Sequence, residues 1–463
     1  MPLHRHAPQD SDDGLGIRPQ FSVPGETSSV PRLRIPESEM SPDTASQIIR
    51  DELMLDGNAR LNLATFVTTW MEPQARELMD ECLDKNMIDK DEYPQTAELE
   101  RRCVNMLAEL WSADHADGAT GCSTTGSSEA CMLGGMALKW RWRERRRAQG
   151  RSVERPNLVM GANVQVCWEK FCRYWDVEAR LVPVTAQAPH LTPEAAVQQC
   201  DENTIGVVAI LGSTFDGSYE PVEQISSALD RLESESGIDV PMHVDAASGG
   251  FIAPFLDPDL VWDFRLQRVQ SINASGHKYG LVYPGVGWVV WREREALPKD
   301  LIFTVDYLGG EMPTFALNFS RPGAQVVAQY YTFLRLGEAG YRRVQQASRD
   351  TAQWLSHEIA QLGPFELLSD GGHLPVFAFR LEDGAGEYSV YDVSELLRTR
   401  GWIVPAYRMP PDIQDMSVLR ICVRNGFSHD LAGMLIDDLG RATARLERGG
   451  KMARADQHSA FHH

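Results

Sequence analysis

The sequence predicts an α/β protein in which a mainly parallel sheet forms a large domain and a smaller α+β domain follows it. Short unbroken apolar runs at 157–160, 205–211 and 240–244 alternate with helical stretches such as 220–235. Strands buried on both faces read this way, because neither face needs polar side chains. Strand-like segments at 376–379 and 419–423 then precede a final helix carrying Leu431, Met434, Leu435, Leu439 and Leu446. A chain of 463 residues has the length for two or three domains.

Taken in order, residues 1–36 hold six prolines and three glycines, with Asp10, Asp12 and Asp13 among them. Such a stretch buries too little apolar surface to offset chain entropy, so a mobile start is expected. The first helix opens at Ser41-Pro42, a capping serine before a proline at the first helical position. Ala45, Ile48, Ile49 and Leu53 recur at helical spacing and Gly57 offers a stop. So short a helix needs something to pack on. Further strands are expected at 268–273 and 285–291.

Lys and Arg number 45 against 65 Asp and Glu, a net charge of −20 that argues against general nucleic-acid binding. Arg141, Arg143, Arg145, Arg146 and Arg147, interleaved with Trp140 and Trp142, therefore read as a mostly solvated amphipathic helix. No run approaches the roughly 20 apolar residues of a membrane span, and the first ten residues lack the apolar core of a secretory signal. A cytoplasmic protein is expected. The eight cysteines are scattered without a CxxC pair, so reduced, mostly buried thiols are expected and no metal site.

Three segments carry chemistry. Ser275-Gly276-His277-Lys278 leaves the strand at 268–273 through small and polar residues. An amine held there could form a Schiff base with a carbonyl, or be a salt-bridged structural lysine. Upstream, His243-Val244-Asp245-Ala246-Ala247 puts a carboxylate at the end of a neighbouring strand. Such an anion suits the protonated ring nitrogen of pyridoxal phosphate, with the small Ala247 against the flat ring; a turn cap or metal ligand would look the same. Thr124-Thr125-Gly126-Ser127-Ser128 opens a long helix, whose amides and hydroxyls suit a phosphate as well as an ordinary N-cap. Together they supply an anion cradle, a ring-nitrogen partner and an amine, in the order expected of a pyridoxal-phosphate enzyme.

Longer blocks are more specific. They include Leu55-Asp56-Gly57-Asn58-Ala59-Arg60, Asn62-Leu63-Ala64-Thr65-Phe66, Lys85-Asn86-Met87-Ile88-Asp89-Lys90 and Gln165-Val166-Cys167-Trp168. Arg173-Tyr174-Trp175-Asp176-Val177-Glu178, Tyr307-Leu308-Gly309-Gly310 and Asn318-Phe319-Ser320-Arg321-Pro322 continue the series. With these the chain resembles bacterial pyridoxal-phosphate-dependent glutamate decarboxylases, group II, from about residue 35 onward. The resemblance implies the aspartate-aminotransferase-like fold (fold type I) and a carboxy-lyase that turns L-glutamate into 4-aminobutanoate through an aldimine and a quinonoid. It implies an N-terminal segment at 1–59, a large cofactor-binding domain at 60–348, a small domain at 349–448 and a tail at 449–463.

Residue by residue, the resemblance implies that Lys278 carries the cofactor and Asp245 pairs with its ring nitrogen. Ser127, Ser128, Ser275 and His277 would hold the phosphate, with Ser320 reaching in from a neighbouring subunit. Gln165 would lie over the ring, Ala247 against it and Thr214 near its hydroxyl side. Thr65, Phe66, Asn86 and Asp89 would receive the distal carboxylate of glutamate, and Arg424 the α-carboxylate. Asp89 facing a carboxylate makes sense where the pair shares a proton, so acid should favour the reaction. His463, with His462 as the alternative, would plug the site at neutral pH and leave it when protonated; an idle tail is the plainer reading. The implied assembly is a homodimer at least, up to a hexamer. No calmodulin-binding helix is evident, and the proline-rich start departs from the amphipathic helix of related enzymes. A same-fold decarboxylase for another amino acid, a lyase or aminotransferase, and a non-catalytic cofactor binder are the rivals.

Overall fold

The computed structural model describes residues 31–113, 118–305 and 312–449. The Tyr307-to-Gly310 block, His462 and His463 lie outside the described residues. Helix α1 (Pro42–Leu53) starts where the sequence places it, with Ser41 Oγ accepting from Thr44 N–H. It stops before Gly57, and none of its residues is buried in this chain, so the packing partner expected for it is not supplied within one subunit. Helices α2 (Pro73–Glu81) and α3 (Pro94–Leu110) lead to the first strand, both begun by proline.

The large sheet alternates with helices in chain order. Strand β1 (Thr120–Thr124) precedes α4 (Ser127–Ala148), and β2 (Asn157–Gly161) precedes α5 (Val166–Tyr174). Next come β3 (Glu178–Val182), α6 (Pro193–Gln198), β4 (Thr204–Ile210) and α7 (Val222–Ser236). Strand β5 (Met242–Asp245), the short α8 (Ala253–Leu256), β6 (Val269–Ala274) and β7 (Gly287–Trp291) complete it. The strand order is β1-β7-β6-β5-β4-β2-β3, parallel except for β7, which runs antiparallel to both of its neighbours. Alternate residues feed two cores: Val207 and Ala209 one layer, Val208 and Ile210 the other. That double burial is what makes 205–211 an unbroken apolar run.

Strands β8 (Phe303–Val305) and β9 (Met312–Thr314) form a hairpin. Helix α9 (Ala324–Gln361) links the domains and is interrupted at Gly337, whose φ of 53° departs from helical geometry. The 348/349 boundary read from the sequence thus falls inside a helix. The small domain adds β10 (Phe365–Leu367), β11 (Val376–Leu381), α10 (Val390–Arg398), β12 (Ala406–Arg408), β13 (Ser417–Cys422) and α11 (His429–Gly449). Its four strands are antiparallel, in the order β10-β11-β13-β12. Leu435, Leu439 and Leu446 of α11 join its core, but Met434 is exposed.

One other expectation changes. Helix α4 is buried along most of its first four turns and Trp142 is buried with its indole N–H on Glu202 O, so the arginine-rich part is the end of a core helix, not a mostly solvated one. Arg143 stacks on Trp140 at 4.4 Å, which accounts for their alternation without nucleic acid. The eight cysteines are all free, six of them buried.

Candidate active site

The parallel strands converge on one cavity at their C-terminal ends, where an open α/β sheet binds ligands. The cavity measures about 400 Å³ and is lined by Lys278, Asp245, Ser127, Ser128, Gln165, Thr214, Ala247, Ser275 and His277. Nine side chains singled out from the sequence therefore meet in one place. Asn163 and Ser248 line it as well without a role read from the sequence; Thr125, from the cradle peptide, and Cys167, from the Gln165 block, line it too.

Lys278 follows β6 by one tight turn, its N–H bonded to Ser275 O. Its Nζ lies 3.2 Å from Ser248 Oγ and 5.1 Å above the Phe66 ring. Burial lowers its pKa from the usual lysine range, opposed by the negative charge of Asp245. Residues 62–69 are clamped beside it. Thr68 bonds the carbonyls of His277 and Lys278, while Arg420 holds Ala64 O at 2.6 Å. Arg424 holds Val67 O, Thr69 Oγ1 and Asn62 O. Its Nη1 is thus spent on the chain and Nη2 gives one of its two hydrogens to it, while its buried Nε has no hydrogen-bond partner among the described residues. Nε and the second Nη2 hydrogen are what Arg424 has left to offer a carboxylate.

Asp245 ends β5 and accepts at both oxygens. Oδ2 receives Trp168 Nε1–H at 2.8 Å and the Cys131 thiol at 3.6 Å; Oδ1 receives Asn273 Nδ2 at 3.0 Å and Ala247 N–H at 3.1 Å. Cys131, Cys167 and Asp245 have their ligand atoms within 4.8 Å of one another. Burial pushes the Cys131 thiol well above its ordinary range, so it serves as a donor and not as a thiolate ligand.

At the other end Ser127 Oγ and Ser275 Oγ lie 2.7 Å apart at the start of α4. The Glu129 carboxylate in that first turn is already occupied, taking the N–H groups of Leu317, Asn318 and Thr125. His277 Nδ1 accepts from Gly285 N–H and Val286 N–H, both at 3.3 Å. The ring hydrogen must then sit on Nε2, and burial with the Lys278 charge holds the imidazole pKa down at about 4. Gly126 is required here, since a Cβ would stand 2.9 Å from the imidazole. Hydroxyls, a neutral N–H donor and a helix N-terminus suit a phosphate; the buried carboxylate opposite suits a protonated ring nitrogen; the amine lies on the same cavity wall. The residues present fit pyridoxal phosphate.

Gln165 caps α5, its Oε1 on Cys167 N–H at 2.6 Å, while lining the cavity. Thr65 Oγ1 accepts from Val67 N–H. The remaining predicted residues do not line the cavity within one chain. Asn86 Nδ2 donates to Ser320 Oγ at 3.2 Å, and Asp89 closes the same loop through its backbone on Asn86 and Tyr93. Trp168, Asn273 and His243, buried behind Asp245, received no role of their own from the sequence.

Residues 36–382 match the pyridoxal-dependent decarboxylase conserved domain. A glutamate decarboxylase of Aliivibrio fischeri is 57% identical over 95% of this chain and 94% of its own length. One from Arabidopsis thaliana is 50% identical over 95% of this chain and 89% of its length. The solved structure of the Lactobacillus brevis glutamate decarboxylase superposes with a TM-score of 0.91 at 46% identity, covering 94% of this chain and 99% of that one.

Proposed function

The chain belongs to the pyridoxal-dependent decarboxylase family, and from that premise we infer that it is a glutamate decarboxylase using pyridoxal 5'-phosphate. It converts L-glutamate to 4-aminobutanoate and carbon dioxide. The observation that carries this is a cavity uniting Lys278, Asp245 and the serine–histidine cradle in a chain 57% identical to a glutamate decarboxylase.

Bound there, pyridoxal phosphate supplies a carbonyl for amines and a ring that takes up the electron pair freed at Cα. The side chains do the rest. Ser127, Ser128, Ser275 and the His277 Nε2–H would hold its phosphate at the start of α4. Asp245 would receive the ring-nitrogen hydrogen; Ala247 and Gln165 would flank the ring and Thr214 would stand on its hydroxyl side. Burial lowers the Lys278 pKa, which favours an Nζ able to attack a carbonyl carbon and later to hold the proton that returns to Cα. Arg424 Nε orients the α-carboxylate, and Thr65 with Phe66 walls the side-chain end. Each turnover takes up a proton.

Asn86, Asp89 and Ser320 sit together, and none of them lines the cavity of its own chain. This supports a homodimer in which the loop of one subunit completes the site of the other, Ser320 at the phosphate and Asn86 with Asp89 at the distal carboxylate. Two facing carboxylates share a proton most easily in acid, which supports an acid optimum. The terminal His463, or His462, supports a plug expelled by protonation. Among the described residues no helix is long and apolar enough to cross a membrane; a cytoplasmic location fits an enzyme for a small polar amino acid.

The test is a substrate panel. Holoprotein incubated with L-glutamate, L-aspartate and aromatic amino acids at several pH values should release carbon dioxide chiefly with 4-aminobutanoate. A different amine as the main product overturns the assignment.

A further inference from the structure

Behind Asp245 lies a row of polar side chains that the reaction as described leaves unused. His243 and Asp245 are alternate residues of β5, Ser271 and Asn273 alternate residues of β6. The strand register pairs His243 with Ser271 and Asp245 with Asn273. Period-two geometry therefore sends all four side chains to one face. Helix α4 covers that face, and Gly134 makes the room: a Cβ there would come within 2.6 Å of the His243 ring. Trp168 closes the side, its ring edge-on to His243 at 4.9 Å and its N–H on Asp245.

The hydrogen bonds in this row have one consistent direction. A carboxylate can only accept, so the amide nitrogen of Asn273 faces Asp245 Oδ1. Asn273 Oδ1 is thereby left facing His243 Nε2 at 2.7 Å. That oxygen also only accepts, so Nε2 carries the ring hydrogen, and Nδ1 accepts from Ser271 Oγ–H at 2.7 Å. Burial favours the imidazole with a single hydrogen. Every donor in the sequence Ser271, His243, Asn273 points toward Asp245, and such chains polarise one another. Reversal would require a protonated Asp245, a turned amide, the other histidine tautomer and a turned hydroxyl, all in a buried site.

We propose that Asn273 and His243 are positioning residues: the one-directional chain they form holds Asp245 as an oriented anion for the ring nitrogen of the cofactor and so keeps the electron sink charged. The inference deepens the reading of Asp245 and rests on it. Neither residue touches the cofactor cavity, so each acts through Asp245 alone.

The experiment loads each variant with ring-15N-labelled pyridoxal phosphate and reads the nitrogen resonance together with kcat and KM for glutamate. Asn273→Leu removes both amide bonds at similar volume; it should move the resonance toward unprotonated pyridine and lower kcat roughly tenfold or more, with KM little changed. His243→Leu should act in the same direction but less, and His243→Gln, which restores a donor toward Asn273, should recover most of the loss. Ser271→Ala, the mildest change and the one that keeps the packing, should still give a small displacement of the resonance. Asp245→Asn is run in parallel. If it shifts the resonance while Asn273→Leu and Ser271→Ala leave both resonance and kcat at wild-type values, the positioning inference is overturned and the Asp245 reading stands. If Asp245→Asn itself leaves the resonance in place, the ring partner is another group and the inference falls with its foundation.

Discussion

The two groups of residues that make up this site are held in different ways. The inner one comes from strand ends: Asp245 takes four donors, and Ser127, Ser275 and His277 are tied to one another or to backbone. The outer one, Asn86, Asp89 and Ser320, rides on loops, and the Ser320 hydroxyl is exposed and bonded to Asn86. Sheet register fixes the inner group whether or not anything is bound, so its dipoles need no reorganisation when charge moves. The outer group takes its final place from what it meets. Chemistry that must be identical in every turnover belongs on the first; subunit completion and control belong on the second.

The largest effect that could break this division is Lys278→Ala. Decarboxylation should fall by at least about 10³-fold, and borohydride reduction followed by peptide mass spectrometry should find no cofactor adduct at position 278. An adduct on another lysine would move the inner wall elsewhere. The next test joins the two groups. Chains carrying Lys278→Ala and chains carrying both Asn86→Ala and Asp89→Ala should each be nearly inactive. Refolded together in equal amounts, they should regain about one quarter of wild-type activity, because half of the dimers then hold one intact site of two. Mixing that restores nothing would place both groups in the same subunit's site.

The inner wall was legible because its peptides leave strands whose apolar runs are unmistakable. The fold followed from the same runs, since burial on both faces removes polar residues from 205–211. The edge strand β3, exposed at Glu178 and Ala179, and the short β1, β8, β9, β10 and β12 gave no such signal. Trp168, His243 and Asn273 sat inside or beside quoted peptides, yet their part depends on the pairing of β5 with β6 and the approach of α5, which one sequence does not reveal. Arg424 was reached only through the resemblance, and its bonds to the carbonyls of 62 and 67 were not legible, because nothing in the spacing brings residue 424 to residue 62.

Smaller effects sharpen the contrast on the side of control. If the chain end acts on the open side of the cavity, deleting residues 459–463 should extend glutamate decarboxylation toward neutral pH by roughly half a pH unit to one unit, imidazole being the titrating group. It should leave the acid-side rate alone. A pH–rate profile that superposes on wild type would assign control to the Asp89 loop instead.

The smallest effect concerns His277, which burial and the nearby Lys278 charge keep neutral. Its pKa in the folded chain is held down at about 4, against 6.5 for an ordinary imidazole. The unfolded chain therefore binds the proton first as pH falls. The stability His277 contributes is complete above pH 6.5 and is lost as pH drops through about 4, on the order of 1–3 kcal/mol after allowing for its partial exposure. Thermal melting of the cofactor-free protein between pH 7.5 and about 4 should show a steeper acid decline for wild type than for His277→Gln, whose amide cannot titrate in that window. Parallel curves would mean that this imidazole protonates in the folded chain as readily as in water, and that the cradle presents a cation, not a neutral donor, to the phosphate.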